Sequence, residues 1–443
     1  MRFLIALLIL TLGAAHAQPA PLETVALIPL DSRPATATLP LEIAGVARVR
    51  VLVPPVALLG DATRAADTGG LLEWLEATPV SAAVVALDAV IYGGLVQSRT
   101  SALSTVEALA KLEPLVAWHG RSRVPLHAFI TIPRAPDATN RARNLEVITR
   151  LLDWAADGTF ARLYITWDDA LPGSPAPLEG AQVREAAELR TLSNVLVYPG
   201  ADEVASAMIA RLALEAAQVK PTVKLEFSLP EASEQISRYD GLPLSQSATA
   251  QARAVGLEVV QSKADLTLFV FNGGDRRVAA LRLSALARRG PVALADVFDV
   301  NKAASRLLED TVTLQRYFGL YAFAAWGTPG NNLGTALAHG AMRLMGGDSR
   351  AHVNLLLREY VNDYLYSTLV RPQVREQIAD QPLEGDVARA MLLGLLRSAF
   401  KPARLERTYC LQILAADFPW ARSFEVRLEV SATPRGNGNP SCP

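Results

Sequence analysis

Apolar runs of strand length alternate with stretches of helix length along most of this 443-residue chain. Strands separated by helices in this way are typical of βα units that share a parallel sheet. We therefore predict an α/β fold with a TIM-barrel-like parallel barrel, regular or irregular, and with a mainly helical C-terminal region. Two Rossmann-like α/β domains around a cleft are the alternative. The predicted strands span residues 25–30, 49–53, 82–87, 126–132, 163–167, 195–198 and 223–227, and then, after a turn-rich break, 257–260, 266–271, 292–295 and 321–325.

The chain divides into four predicted segments. Residues 1–17 have the pattern of a secretory signal peptide, because a basic start precedes an apolar run and Ala15-His16-Ala17 is a small-x-small cleavage site. Residues 22–350 are predicted to form the α/β domain, and residues 351–430 a helical region with a late strand at 424–430. Residues 431–443 have the composition of a disordered tail. We expect the mature protein in the periplasm or outside the cell.

The composition argues against several classes of function. Half of the residues are hydrophobic and the formal net charge is -1, which argues against a nucleic-acid partner. No run after the signal peptide is long and apolar enough to span a membrane. No glycine-rich phosphate loop follows the first strand and no Cys/His cluster occurs, so we predict neither a cofactor nor a metal site. The two cysteines are Cys410 and Cys442, and the sequence leaves their pairing open.

Two adjacent carboxylates, Asp168 and Asp169, come directly after the predicted strand at 163–167. Ligand sites in α/β folds gather at the carboxyl ends of strands. Two carboxyl groups held together there set each other's pKa and divide the acid and base roles between them. We therefore predict that Asp168 and Asp169 are catalytic, with Asp169 as the acid because it lies further out. The alternative is a pair of aspartates that cap or tie a loop.

Polar and aromatic side chains also follow the other predicted strands, and together they suit a small-molecule ligand such as a saccharide or another polyhydroxylated or anionic compound. The arginines among them either form a positive patch or pair with Asp31, Asp88 and Asp168 as a structural network. Asn332 is also suited to a structural role as a helix cap. The predicted ligand-binding residues are Asp31, Arg33, Asp88, Tyr92, Arg99, Arg134, Trp167, Asp202, Glu203, Asp296, Trp326, Asn331 and Asn332.

Several short motifs occur in a fixed order at these strand ends, at residues 28–34, 87–99, 167–170, 199–203 and 326–334. With them the chain resembles a bacterial family known as domain of unknown function 4127 (DUF4127). The similarity extends over most of the mature chain, through residues 419–425. The family has no established activity, so the resemblance implies membership and not chemistry. The family pattern has Asn-Thr after the tryptophan where this chain has Gly327-Thr328, which argues against a side-chain role at position 327.

Histidine is scarce near the predicted site. Beyond residue 17 the histidines are at positions 119, 127, 339 and 352, and none stands at a predicted strand end beside a carboxylate. Acid/base chemistry therefore falls to Asp and Glu, as in glycoside hydrolysis. We predict a secreted or periplasmic carbohydrate-active hydrolase. The alternatives are a divalent-cation-dependent hydrolase and a non-catalytic periplasmic binding protein for an anionic or polyhydroxylated solute.

Overall fold

The computed structural model describes residues 22–134, 138–315, 317–377 and 383–435. The predicted signal peptide, Cys442 and residues 436–443 of the predicted tail lie outside these ranges. The strands are β1 (Thr24–Ile28), β2 (Arg50–Leu52), β3 (Ala82–Ala86), β4 (Leu126–Ile132), β5 (Arg162–Trp167), β6 (Val195–Pro199), β7 (Thr222–Phe227), β8 (Glu258–Val259), β9 (Leu266–Phe271), β10 (Val292–Asp296), β11 (Ala322–Ala324), β12 (Tyr409–Asp417) and β13 (Arg427–Pro434).

Helices connect and cover these strands, and a π-helical segment spans Tyr360–Val370. None of the described helices is long and apolar enough to cross a lipid bilayer. The α-helices are α1 (Pro34–Ala37), α2 (Leu39–Val46), α3 (Thr68–Ala77), α4 (Leu87–Ile91), α5 (Leu95–Ser98), α6 (Thr105–Ala110), α7 (Glu113–Ser122), α8 (Ala138–Ala156), α9 (Ala176–Leu189), α10 (Val204–Ala216), α11 (Leu244–Val255), α12 (Arg276–Ala287), α13 (Ser305–Gln315), α14 (Pro329–Leu344), α15 (Ser349–Glu359), α16 (Arg371–Gln377), α17 (Gly385–Ala399) and α18 (Pro402–Leu405).

The first eleven strands form two open parallel sheets. The first sheet has the order β2-β1-β3-β4-β5-β6, and the second has the order β11-β10-β9-β7-β8. Every pair of neighbouring strands in both sheets is parallel. The predicted α/β fold with parallel strands is therefore confirmed.

No closed barrel is found in the residues that the structure describes. Each sheet places its second strand outside its first, so the strand order reverses there and both ends of the sheet remain as edges. A barrel requires a sheet that closes on itself. The predicted TIM-like barrel therefore has no support, and the two sheets agree better with the alternative of two Rossmann-like units.

Helices cover both faces of the first sheet. Every residue of β3 and β4 is buried, a state that parallel strands reach when helices pack on both sides. One of these helices, α10, packs against β3, β4 and α2. The chain that leaves β6 therefore runs back across the sheet towards α2. This return brings the residues before α10 close to those that follow β1.

The helix α14 joins the two sheets. It packs against β9, β10 and β11 of the second sheet, and also against α10 and α11. A Cβ atom at Gly334 would lie 2.4 Å from Cγ of Glu203, the residue before α10. Glycine at this position therefore allows the close approach of α14 to α10. The loop before α14 is held at the junction of the two sheets.

The C-terminal region combines helices with a β-hairpin. α15, the π-helical segment and α17 contribute to a second hydrophobic core, and β12 and β13 pair in antiparallel fashion. The sequence predicted one late strand at 424–430 and did not predict β12. Residues 431–434 of the predicted tail belong to β13, because they pair with residues 409–412.

Gly180 in α9 lies directly against the buried indole of Trp167 in β5. A Cβ atom there would come within 2.5 Å of ring carbon Cζ3. We expect Gly180→Ala to lower the free energy of unfolding by about 1–3 kcal/mol, because the fully buried ring has no room to move. Gly394→Ala in α17 is the matched control, since nothing lies within 4 Å of the added methyl group. The control should be stabilising by about 0.5–1 kcal/mol. Urea denaturation measures both values, and equal changes would contradict this packing.

Candidate functional site

Arg33 binds two carboxylates at the end of the first sheet. It follows β1, and the return of the chain through α10 places Asp202 beside it. Nε of Arg33 donates to the two oxygens of Asp31 at 3.0 and 2.9 Å, and Nη1 and Nη2 donate to Asp202 at 2.8 and 2.6 Å. Charge-assisted bidentate bonds of this kind fix orientation as well as distance. This group, the Asp31–Arg33–Asp202 clamp, ties the end of β1 to the start of α10.

Asp168 and Asp169 form an aspartate pair at the end of β5. Asp168 binds Arg99 and Asp169 binds Arg134 through charge-assisted hydrogen bonds, and Nε of Arg134 lies 3.9 Å from Oδ2 of Asp168. Asp169 has a φ of 37°, so the chain turns sharply straight after the strand. The turn lets both carboxyl groups reach one guanidinium, although successive residues of a strand point to opposite faces.

Burial and the neighbouring arginines have opposite effects on the pKa values of these carboxyl groups. Burial and the charge of Asp168 raise the pKa of Asp169 to about 6, against the opposing charge of Arg134. Burial likewise raises the pKa of Asp202, although Arg33 acts to lower it. Asp169 therefore exchanges its proton in mildly acidic solution, which suits an acid/base residue.

Asp88 lies near the aspartate pair in the first turn of α4, directly after β3, and is fully buried. Its Oδ2 accepts the backbone N–H of Thr131 at 3.0 Å, and its Oδ1 has no partner among the described residues. Burial raises the pKa of Asp88 to about 7. The arginine network expected from the sequence therefore includes Asp31 and Asp168, but Asp88 has no arginine partner in the described chain.

Trp167, Tyr92 and Glu203, predicted as ligand-binding residues, also lie inside the protein. Trp167 is buried, and its Nε1 donates to the carbonyl oxygen of Asp240 at 2.8 Å. Tyr92 is also buried, with the guanidinium carbon of Arg143 at 4.9 Å from the centre of its ring. Glu203 is fully buried, and burial raises its pKa to about 7. Neither aromatic ring presents a free face for a sugar in this structure.

Asp296 and Asn332 are buried at the end of the second sheet. Asn332 accepts the backbone N–H of Gly327 at 2.8 Å and donates to the carbonyl oxygen of Asp296 at 2.8 Å. These bonds tie the end of β10 to the loop before α14. The N-cap residue of α14 is Thr328, so Asn332 has a structural role but not the capping role that the sequence suggested.

Trp326 and Asn331 lie at the junction of the two sheets. Trp326 follows β11 and lines a cavity of about 40 Å³ together with Arg33. Its buried Nε1 has no hydrogen-bond partner in the described part of the chain. Asn331 is in the first turn of α14 and is 8% exposed. The second sheet thus contributes residues to a cavity that the first sheet also lines.

The loop between β12 and β13 adds residues that the sequence analysis did not identify as part of a site. Nε1 of Trp420 donates to Oγ of Ser32 at 2.9 Å. The Trp420 ring lies 5.3 Å from the guanidinium of Arg33 and 4.5 Å from that of Arg422. Arg422 in turn binds both oxygens of Glu425 at 2.9 Å. Residues 419–425 carry a family motif, but no local pattern connects position 420 with position 33.

The carboxylates at the strand ends are engaged by arginines. Asp31, Asp168, Asp169 and Asp202 each form an ion pair with a guanidinium. In the part of the chain that is described, no group of three or more His, Cys, Asp or Glu side chains is arranged to hold a metal ion. The geometry of these carboxylates therefore does not favour a divalent-cation-dependent hydrolase over a carbohydrate-active hydrolase or a binding protein.

A sequence profile described as "Protein of unknown function (DUF4127)" matches residues 25–142 and 138–429. The chain belongs to the DUF4127 family. The match confirms the resemblance that the strand-end motifs indicated. None of the curated proteins compared with the chain matches it.

Two solved structures show distant likenesses to this DUF4127 protein. A galactofuranose binding protein is 11% identical with a TM-score of 0.16, and the match covers 61% of this chain and 81% of that one. A-type ketoreductases from modular polyketide synthase are 12% identical with a TM-score of 0.20, and the match covers 86% of this chain and 88% of that one. At these TM-scores neither likeness informs the fold or the ligand.

The buried carboxyl group of Asp88 makes the stability of the protein depend on pH. Its pKa is raised from the ordinary range to about 7, so its contribution is fully present below about pH 4 and is lost as the pH rises through 7. We expect Asp88→Asn to become more stable relative to the wild type between pH 5 and pH 8, by on the order of 2–4 kcal/mol. Thermal unfolding at both pH values measures this, with the exposed Asp157→Asn as control. A difference between Asp88→Asn and wild type that stays constant with pH would contradict the raised pKa.

Proposed function

We propose that this DUF4127 protein is a carbohydrate-active hydrolase in which Asp169 is the general acid and Asp168 is its charged partner. The observation that supports this most directly is the contrast within the aspartate pair. Burial and the neighbouring charge raise the pKa of Asp169 to about 6, while Asp168 is held in an ion pair with Arg99. Two carboxyl groups with different environments are what a glycoside hydrolase needs for its separate roles.

The closeness of the two carboxyl groups favours one type of mechanism. Both contact the guanidinium of Arg134. An inverting enzyme needs room for a water molecule between carboxyl groups about 6.5–9.5 Å apart, on opposite faces of the sugar. Neighbouring carboxyl groups on one side suit substrate-assisted hydrolysis instead. Asp169 would protonate the leaving oxygen, and Asp168 would orient the substrate group that attacks the anomeric carbon.

Trp420 is a better candidate than Trp167 for the aromatic surface that stacks on a sugar ring. Its side chain is partly exposed, although the guanidinium groups of Arg33 and Arg422 lie 5.3 and 4.5 Å from the centre of its ring. Trp167, by contrast, is only 1% exposed. Stacking on an exposed indole is a common way for proteins to hold a flat apolar face of a ligand.

A second candidate function is a non-catalytic binding protein for an anionic or polyhydroxylated solute. The observation that favours it is the cavity at the junction of the two sheets, where α/β proteins often bind ligands. Both candidates are compatible with a location in the periplasm or outside the cell, which the signal-peptide pattern of residues 1–17 supports.

Replacement of Asp169, the proposed general acid, should slow the hydrolysis of each substrate to an extent that depends on its leaving group. We expect Asp169→Asn to lower kcat/KM by on the order of 10²–10⁴ for methyl glycosides and disaccharides. The loss should be much smaller for 4-nitrophenyl glycosides, because a nitrophenolate leaves without a proton. In the wild type, kcat/KM should fall as the pH rises above about 6, the pKa of Asp169, since only the protonated form is the acid.

Asp168→Asn should lower turnover on both kinds of leaving group, because its role does not depend on the leaving oxygen. Asp157→Asn, at an exposed position, controls for the loss of a carboxylate as such. Kinetics on a panel of aryl and alkyl glycosides, together with circular dichroism of each variant, give the comparison. Full activity of both aspartate-pair variants would rule out this mechanism and leave the binding protein as the better candidate.

A further inference from the structure

The cavity at the junction of the two sheets is lined by residues from distant parts of the chain. It has a volume of about 40 Å³, which is enough for a small polar group, since one water molecule needs about 10–15 Å³ by the same measure. Arg33 comes from the end of β1, Trp326 from the end of β11, Arg358 from α15, and Glu425 from the loop between β12 and β13. A group bound there would contact both halves of the molecule.

Arg358 is the lining residue whose bonding is least complete. It is 5% exposed, and among the described residues it forms one ion pair, in which its Nε lies 2.9 Å from Oε2 of Glu42. Its two terminal nitrogens make no hydrogen bond with the described residues. These nitrogens are not among the fully buried side-chain atoms that lack a partner, so they are accessible from the cavity, where an acceptor oxygen can reach them.

The free donors that line the cavity favour a partner with acceptor oxygens. The charged lining residues are Arg33, Arg358 and Glu425, and the charge of Arg358 is opposed by Glu42. Arg33 is already bound by its clamp, and both oxygens of Glu425 are bound by Arg422. The guanidinium of Arg358 is therefore the group in this lining that remains available. Its planar fork matches the two oxygens of a carboxylate.

We propose that this cavity binds the carboxylate of an acidic sugar, so that the ligand of the site is a uronic acid or a related acidic saccharide. This inference rests on the proposed carbohydrate function but not on hydrolysis. Arg33 lines the cavity and also binds Asp202, whose charge acts on Asp169. The proposed carboxylate site therefore adjoins the clamp through Arg33.

Binding of monosaccharides to the full-length mature protein tests the proposal. The probes are D-glucuronate, D-glucose and N-acetyl-D-glucosamine, titrated at pH 7 and followed by ligand-observed NMR. We expect D-glucuronate to bind at least tenfold more tightly than the two neutral sugars, on the order expected for a charge-assisted bidentate pair. Equal affinities, tighter binding of a neutral sugar, or no binding of D-glucuronate would overturn the proposal.

Two variants test whether the cavity is the binding site. Arg358→Lys keeps the charge beside Glu42 but loses the planar fork, and it should weaken D-glucuronate binding about tenfold without changing the binding of D-glucose. Ala35→Leu fills the cavity from its wall without any change of charge, and it should have the same effect. The exposed Arg150→Lys is the matched control and should bind like the wild type.

The results separate this proposal from the proposed hydrolysis. D-glucuronate binding that survives in both cavity variants, each shown to be folded by circular dichroism, would overturn the carboxylate site even if the aspartate pair proves catalytic. Selective loss of D-glucuronate binding in both variants would support the site even if no glycoside is ever hydrolysed.

Discussion

The Asp31–Arg33–Asp202 clamp is the interaction on which the rest of the site depends. A guanidinium taken out of water is stable only when its bonds to carboxylates are well formed, and here every bond is 3.0 Å or shorter. The clamp joins the end of β1 to the start of α10, supports the ring of Trp420 and forms one wall of the cavity. Removing one partner from such a buried group typically costs about 3–5 kcal/mol. The first sheet, the returning helix and the hairpin loop are therefore held together as one unit.

The carboxyl groups near the clamp differ in what balances their burial. Asp88 has no guanidinium partner in the described chain, and its pKa is raised furthest, to about 7. Asp169 is opposed by Arg134 and its pKa is about 6. Burial sets the direction in both cases, and the nearest arginine limits the extent. The carboxyl group of Asp88 is thus a structural element of the interior, whereas that of Asp169 is accessible for proton exchange.

The sequence allowed the strands and the strand-end carboxylates to be predicted, because apolar runs and the residues that follow them are local features. The runs at 126–132 and 163–167 match β4 and β5 closely. The order of strands is not a local feature, because it depends on which side of β1 the second strand joins. The open form of the two sheets could therefore not be predicted from the sequence. The burial of Trp167 depends on α9 and on the carbonyl of Asp240, which lies 73 residues away. Trp420 meets Ser32 across 388 residues, so its place in the site required the structure.

The first five strands of each sheet have the same order, but the polar groups at the point where the order reverses are paired differently in the two sheets. In the second sheet, Asn272 follows β9 and closes that point: its Oδ1 accepts from Leu229 at 2.9 Å, and its Nδ2 donates back to the Leu229 carbonyl at 2.9 Å. Its polar groups are thus engaged by the neighbouring loop. In the first sheet the corresponding point holds the clamp and Asp88, whose Oδ1 is unpaired within the described residues. Ligands of such folds bind where the strand order reverses, and Arg33 and Trp326 both line the cavity next to that point of the first sheet.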